Sequence, residues 1–135
     1  MKLKESRLKK PIISFLRGLG CNDSKTELSF MDRGIDVFGL QDIRPYQTYA
    51  VELKITNWQK ALRQAAIYQL CADYCYVAMP MERAQTLQLR HFRAAGVGVL
   101  GVDLESQEVE IFSAAKKSSV KRPSYSSYMQ KAARR

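Results

Sequence analysis

Two apolar segments of this sequence each carry an acidic residue, and the second also carries a lysine. Asp36 is flanked by aliphatic residues, and Glu52 and Lys54 lie two positions apart in the apolar segment 51–55. Side chains two positions apart share one face of a strand. An isolated charge on an apolar strand is costly unless it is paired or bound to a metal. Two carboxylates beside an ammonium group are the groups that Mg²⁺-assisted hydrolysis of a phosphodiester needs.

The acid-x-lysine spacing also occurs at Asp23-Ser24-Lys25, in polar sequence without apolar flanks. We interpret that second copy as accidental, because average composition gives roughly one such triplet by chance in a chain of this length. The alternative for Glu52 and Lys54 is a solvated strand face on which they only pair with each other, which contributes little to stability. Asp36, on the preceding predicted strand, favours a site.

Apolar periodicity predicts the elements that would position these residues. It predicts helices over 8–19, from Thr56 or Asn57 to about Asp73, and over 81–95. It predicts strands over 27–30, 35–40, 49–55, 74–79, 97–102 and 109–112. A helix between the third and fourth strands indicates that these two strands are parallel. The predicted fold class is therefore α/β, with a mixed central sheet flanked by helices.

The order and spacing of these motifs resemble those of the PD-(D/E)XK nuclease superfamily. The motifs are Gly34-Ile35-Asp36, Glu52-Leu53-Lys54 and Gln64-x-x-x-Tyr68, followed by an apolar strand, and the resemblance covers about residues 5–80. It implies a restriction-endonuclease-like αβββαβ core. Ile35 stands where many members have proline, and Pro11 interrupts the first predicted helix.

The resemblance also implies roles for individual residues. Asp36, Glu52 and the Leu53 carbonyl would hold one Mg²⁺ or Mn²⁺ ion. Lys54 would orient the attacking water and offset charge on the phosphate. Gln64 would position the water or the nucleic-acid backbone. An accessory acid would come from Glu5, which matches an acidic residue on the first helix of many members, or from Glu27.

The implied activity is metal-dependent hydrolysis of nucleic acid, and DNA is favoured over RNA as the predicted substrate class. One alternative is a binding module with a nuclease-like fold that does not cut. A second alternative is a protein-interaction domain with a solubilising tail. Intact Asp36, Glu52 and Lys54 favour the nuclease, because a module that only binds has no need of buried acids.

The positive charge of the chain is concentrated at its two ends. The net charge is +9, and residues 116–135 contain seven Lys or Arg and no acid, whereas residues 11–115 carry a net charge of −2. We expect a single domain over 1–115 and a flexible basic tail over 116–135. Such clusters bind phosphates, and the predicted nucleic-acid contacts are Lys116, Lys117, Lys121 and Arg122.

Composition also excludes several classes of protein. No apolar run approaches the roughly 20 residues needed to cross a bilayer, and three cysteines without a CxxC pair fit a reducing cytoplasm. A single histidine leaves no Cys/His cluster for zinc. A chain this small presents little surface to DNA, which favours a homodimer.

Overall fold

The computed structural model describes residues 3–135, which form six strands and five α-helices. A 3₁₀ turn (Glu5–Leu8) precedes the first helix. The elements that follow are α1 (Lys9–Gly18), β1 (Asp23–Phe30), β2 (Arg33–Gln41), β3 (Gln47–Leu53), α2 (Trp58–Tyr68), β4 (Tyr74–Pro80), α3 (Met81–Ala84), α4 (Leu89–Ala95), β5 (Gly98–Val102), β6 (Val109–Ser113) and α5 (Pro123–Arg134). The α/β class predicted from the sequence is confirmed.

The six strands form one mixed sheet in the order β1-β2-β3-β4-β5-β6. β3, β4 and β5 are parallel neighbours, and the remaining pairs are antiparallel. The parallel strands have two common edges. We call the edge at Leu53, Pro80 and Val102 the carboxyl edge, and the edge at Gln47, Tyr74 and Gly98 the amino edge. Six residue steps along β3 place the two edges roughly 20 Å apart.

Helices cover both faces of the sheet, so β3 and β4 are buried almost throughout. The 3₁₀ turn and α1 together lay Leu8, Ile12 and Leu16 on one face, against Val51 and Leu53 of β3. Helices α2, α4 and α5 pack on the opposite face. Burial of this kind on both faces is typical of the parallel part of an α/β sheet.

The C-terminal segment is not the flexible tail that its composition predicts. Residues 123–134 form helix α5, and Tyr125, Met129 and Ala133 pack against the strands β1 and β2. The spacing of these three residues places them on one face of the helix, and Pro123 suits its first turn. The predicted boundary at residue 115 is therefore wrong, because α5 completes the same core.

The helix predicted over 81–95 is two helices, α3 and α4, separated by residues 85–88. The Thr86 hydroxyl donates to the Arg83 carbonyl oxygen at 2.8 Å. A side chain that bonds to the local backbone in this way competes with continuation of the helix. Within the described residues, none of these helices has the length and apolarity to span a membrane.

Candidate active site

Asp36 and Glu52 meet where the pairing of β2 with β3 stops. The last pair of that ladder is Val37 with Val51. Beyond it, the Asp36 carboxylate accepts a hydrogen bond from the Leu53 backbone N–H at 2.8 Å. The side chain thus replaces a backbone acceptor that β2 no longer supplies. This contact fixes Asp36 at the carboxyl edge, beside Glu52.

Glu52 is only 5% exposed, and α2 holds both of its carboxylate oxygens. The Tyr68 hydroxyl donates to Oε1 at 2.9 Å. With its amide oriented to satisfy both ends, Gln64 donates to Oε2 at 2.7 Å and accepts from Arg33 at 3.2 Å. Gln64 and Tyr68 lie four residues apart, so they face the strand together from successive turns of the helix.

The two acids have raised pKa values. Burial, followed by repulsion from Asp36, raises the pKa of Glu52 from its usual 4.5 to about 7. Burial also raises the pKa of Asp36, although the hydrogen bond from Leu53 opposes that rise. Both groups therefore resist ionisation in the folded protein unless positive charge approaches them.

Lys54 follows directly at the end of β3 and has a side chain that is 18% exposed. Its Nζ lies 3.8 Å from Oε2 of Glu5, which belongs to the 3₁₀ turn before α1. The structure therefore brings together all five residues predicted as catalytic: Glu5, Asp36, Glu52, Lys54 and Gln64. Gln64 contacts Glu52 and Arg33, which makes it a residue that positions the buried acid.

Glu27, the other candidate for the accessory acid, lies on the opposite side of Asp36 from Glu52. It has a left-handed φ of 53° inside β1, and its Oε1 forms an ion pair with Lys9 Nζ at 3.3 Å. Both Glu27 and Glu5 lie near enough to raise the pKa of Asp36. A non-glycine residue with this φ is strained, and such strain is common beside functional sites.

The donor set fits a small, hard cation that keeps most of its own ligands. Among residues 3–135 there is no cluster of three or more His, Cys, Asp or Glu that could enclose a metal. Mg²⁺ is commonly bound by one or two carboxylates, with water and substrate phosphates completing the shell. Asp36 and Glu52 supply two such carboxylates. The Leu53 carbonyl adds a backbone oxygen on the side of β3 where β2 has stopped pairing.

The predicted basic contacts lie at the amino edge, roughly 20 Å from these acids. There, Lys121 Nζ donates to the buried carboxylate of Asp73 at 2.6 Å, and Asp73 also accepts from the Thr48 backbone N–H. Lys121 therefore neutralises a buried acid in this structure, and its contact with phosphate stays a prediction. Arg122 is the N-cap residue of α5, and its guanidinium lies over the Tyr125 ring. Lys116 and Lys117 are exposed.

Sequence reasoning missed Arg33, whose guanidinium donates to the Gln64 amide. The available signal was its position next to Gly34-Ile35-Asp36, at the turn between β1 and β2. A cation there lies close to the acids without pairing with either of them.

The buried carboxyl of Glu52 should make the metal-free protein less stable at high pH. Folding favours its neutral form, so its contribution to stability is full below about pH 4.5 and is lost as pH rises through about 7. At roughly 1.4 kcal/mol per pKa unit, the loss is about 3 kcal/mol. We expect urea titrations in EDTA to show this fall between pH 5 and 8, and Glu52→Gln to remove it.

Glu110→Gln is the matched control, since this exposed acid on β6 should leave the pH dependence unchanged. If the free energy of unfolding of the parent protein does not change between pH 5 and 8, the raised pKa of Glu52 is contradicted.

Comparisons with known proteins show the fold alone. No protein-family model matches the chain, and no curated protein matches it. A solved structure with a similar fold is the SPO1766 protein of unknown function from Silicibacter pomeroyi. It is 22% identical, with a TM-score of 0.74, and the match covers 99% of this chain and 86% of that one. The chain therefore shares its fold with a solved structure.

Proposed function

We propose that this protein is a metal-dependent nuclease of the PD-(D/E)XK type that hydrolyses phosphodiester bonds, and we favour DNA over RNA as its substrate class. The observation that carries the proposal is the buried Glu52 carboxylate, held by Tyr68 and Gln64 beside Asp36. Lys54 stands at the same edge of the sheet.

A purely structural role explains this arrangement poorly. Within residues 3–135, no Lys, Arg or His nitrogen lies within 4.0 Å of a carboxylate oxygen of Asp36 or Glu52. Removing two neighbouring acids from water without a cation paired to either of them costs stability. By contrast, the structural acid Asp73 at the amino edge has Lys121 directly against it. Asp36 and Glu52 are therefore free to bind an exchangeable cation.

Asp36, Glu52 and the Leu53 carbonyl would hold a Mg²⁺ or Mn²⁺ ion. Such an ion supplies a Lewis acid that stabilises charge on the phosphate and lowers the pKa of a bound water. The Leu53 N–H orients Asp36, while Tyr68 and Gln64 fix both oxygens of the Glu52 carboxylate.

Lys54 supplies the mobile positive charge of the site. Among residues 3–135 its single ion-pair partner is the half-exposed Glu5 at 3.8 Å, so it can turn toward a phosphate without losing a tight partner. There it would orient the attacking water and stabilise the charge that develops on the phosphate oxygens.

The test is cleavage of supercoiled plasmid, linear duplex, single-stranded DNA and RNA in Mg²⁺, Mn²⁺ and EDTA. We expect cleavage with either metal, none in EDTA, and a loss of at least about 10²-fold in Asp36→Asn. Asp23→Asn is the control, because Asp23 belongs to the other acid-x-lysine triplet, at the far end of β1. It should cleave at the parent rate.

If no substrate is cut with either metal, the proposal fails. Binding without cutting would then favour the alternative of a nucleic-acid-binding module. Equal losses of activity in Asp36→Asn and Asp23→Asn would show that the acids at the carboxyl edge have no special role.

A further inference from the structure

Helices α2 and α4 lie side by side and run in the same direction. Near the carboxyl edge, the Trp58 ring stacks on the His91 ring, with centroids 5.3 Å apart and an interplanar angle of 27°. Near the amino edge, the Gln69 side chain donates to the Ala95 carbonyl oxygen at 2.9 Å. The pair of helices therefore forms one continuous surface that begins beside the candidate active site and is roughly 16 Å long.

This surface carries positive charge alone. Neither α2 nor α4 contains an acidic residue, and their four cations, all exposed, are Lys60, Arg63, Arg90 and Arg93. Soluble proteins usually intersperse both signs on a surface of this kind. A surface of one sign attracts a polyanion, because its cations displace counterions from phosphates.

The positive surface ends at the amino edge in a cleft of about 220 Å³. Arg93, Lys116 and Lys117 line this cleft. The Lys116 backbone N–H donates to the Gly96 carbonyl oxygen at 3.1 Å, which ties the segment to the end of α4. Lys116 and Lys117, which were predicted to contact nucleic acid, therefore continue the positive surface beyond α4, far from Asp36 and Glu52.

An aromatic ring is available within the same surface. His91 is exposed on its outer side, and Trp58 supports its inner side and in turn packs on Phe92. A flat ring that is fixed from behind and open in front can stack against a nucleobase.

We propose that this surface is a track for one strand of nucleic acid that leads away from the candidate active site. The track consists of Lys60, Arg63, Arg90 and Arg93 as phosphate contacts, with His91 as a stacking contact, and it ends in the cleft of Lys116 and Lys117. The proposal rests on the proposed function for its direction. A single strand fits better than a duplex, because its bases are open for stacking on His91.

The test measures fluorescence anisotropy of labelled 12-nucleotide single strands in EDTA, which keeps metal-dependent cleavage out of the measurement. The track variant is Arg63→Gln, Arg90→Gln and Arg93→Gln combined. The control combines Arg17→Gln, Arg44→Gln and Lys131→Gln, which removes the same charge from exposed positions outside the track. We expect the track variant to bind at least about 10-fold more weakly, with a salt slope lower by about 2. The control should change affinity less than about 3-fold.

His91→Ala separates stacking from charge. It should weaken binding about 5-fold or more while leaving the salt slope unchanged. If the triple track variant has a lower melting temperature than the parent protein, Arg90→Gln alone replaces it, with Arg17→Gln as its control.

Equal binding by the track and control variants overturns the track, as does a parent protein that binds no single strand. Duplex binding that is as tight and as sensitive to the track variant overturns the single-strand assignment. The two proposals fail separately. A protein that cleaves nothing but loses strand binding in the track variant keeps the track and loses the nuclease. A nuclease whose track variant binds like the parent loses the track.

Discussion

Replacing Lys54 by alanine is expected to lower the rate of DNA cleavage at least about 10²-fold, the scale for losing one group that stabilises a transition state. Affinity for the substrate should change little, because Lys54 is one of 22 Lys and Arg residues. The fold should persist, since in the described part of the chain the Lys54 ammonium pairs only with the half-exposed Glu5. Single-turnover cleavage, anisotropy and thermal melting together measure these three quantities.

Lys25→Ala is the matched control for that experiment. Lys25 occupies the same position in the other acid-x-lysine triplet, and its Nζ donates to the Arg135 carbonyl oxygen at the amino edge. It should cleave like the parent. Lys54→Arg should restore only part of the rate, since a broad guanidinium does not replace a compact ammonium. Full activity in Lys54→Ala would remove Glu52-Leu53-Lys54 from the proposed mechanism.

Met129→Ala is expected to destabilise the whole protein by about 2–5 kcal/mol, the usual cost of emptying a large buried site. The Met129 side chain is fully buried against apolar residues of β1 and β2, among them Phe30 and Phe38. Urea denaturation gives the change in the free energy of unfolding. The neighbouring Tyr128 is 59% exposed, so Tyr128→Ala should change stability by well under 1 kcal/mol.

If Met129→Ala and Tyr128→Ala are equally stable, α5 does not form part of the core in solution. Deleting residues 123–135 extends the test. Loss of cooperative unfolding is expected, because the deletion uncovers the apolar side chains of β1 and β2.

The strands and the residues of the candidate site could be predicted from the sequence because their signals are local. Strand periodicity placed Glu52 and Lys54 near one edge of an apolar strand, and the four-residue spacing of Gln64 and Tyr68 put both on one helical face. The structure brings these side chains together with Asp36. The mixed sheet followed from one crossover helix between β3 and β4. The restriction-endonuclease-like assignment and the metal stay predictions.

The C-terminal helix was not accessible in the same way. Its serines and basic residues dominate the composition of the segment, while its apolar face consists of three residues spaced four apart. The ion pair of Lys121 could not be predicted from the sequence either. Its partner is Asp73, 48 positions earlier, and only the folded chain shows that the two residues meet.

Strict alternation also fails beside the site. It predicts that Ile35 and Val37 share one face of β2, with Asp36 turned away from both. In the structure, Val37 packs with the α1 cluster and Ile35 with the cluster under α5. The change occurs at Asp36, where pairing with β3 has ended and the side chain bonds to the Leu53 backbone instead. The acid is positioned by this local end of the pairing between β2 and β3, which the periodicity of the sequence does not predict.

The late position of α5 in the chain has a consequence for biosynthesis. Phe30 and Phe38 are buried against Met129, which is translated about 100 residues after Phe30. At a ribosomal rate of roughly 5–20 residues per second, the apolar face of β1 and β2 stays uncovered for about 5–20 s. During that time the nascent chain presents the kind of surface that chaperones bind and that aggregates recruit. Synthesis of the basic helix α5 therefore also determines when this apolar face is covered and the risk of aggregation falls.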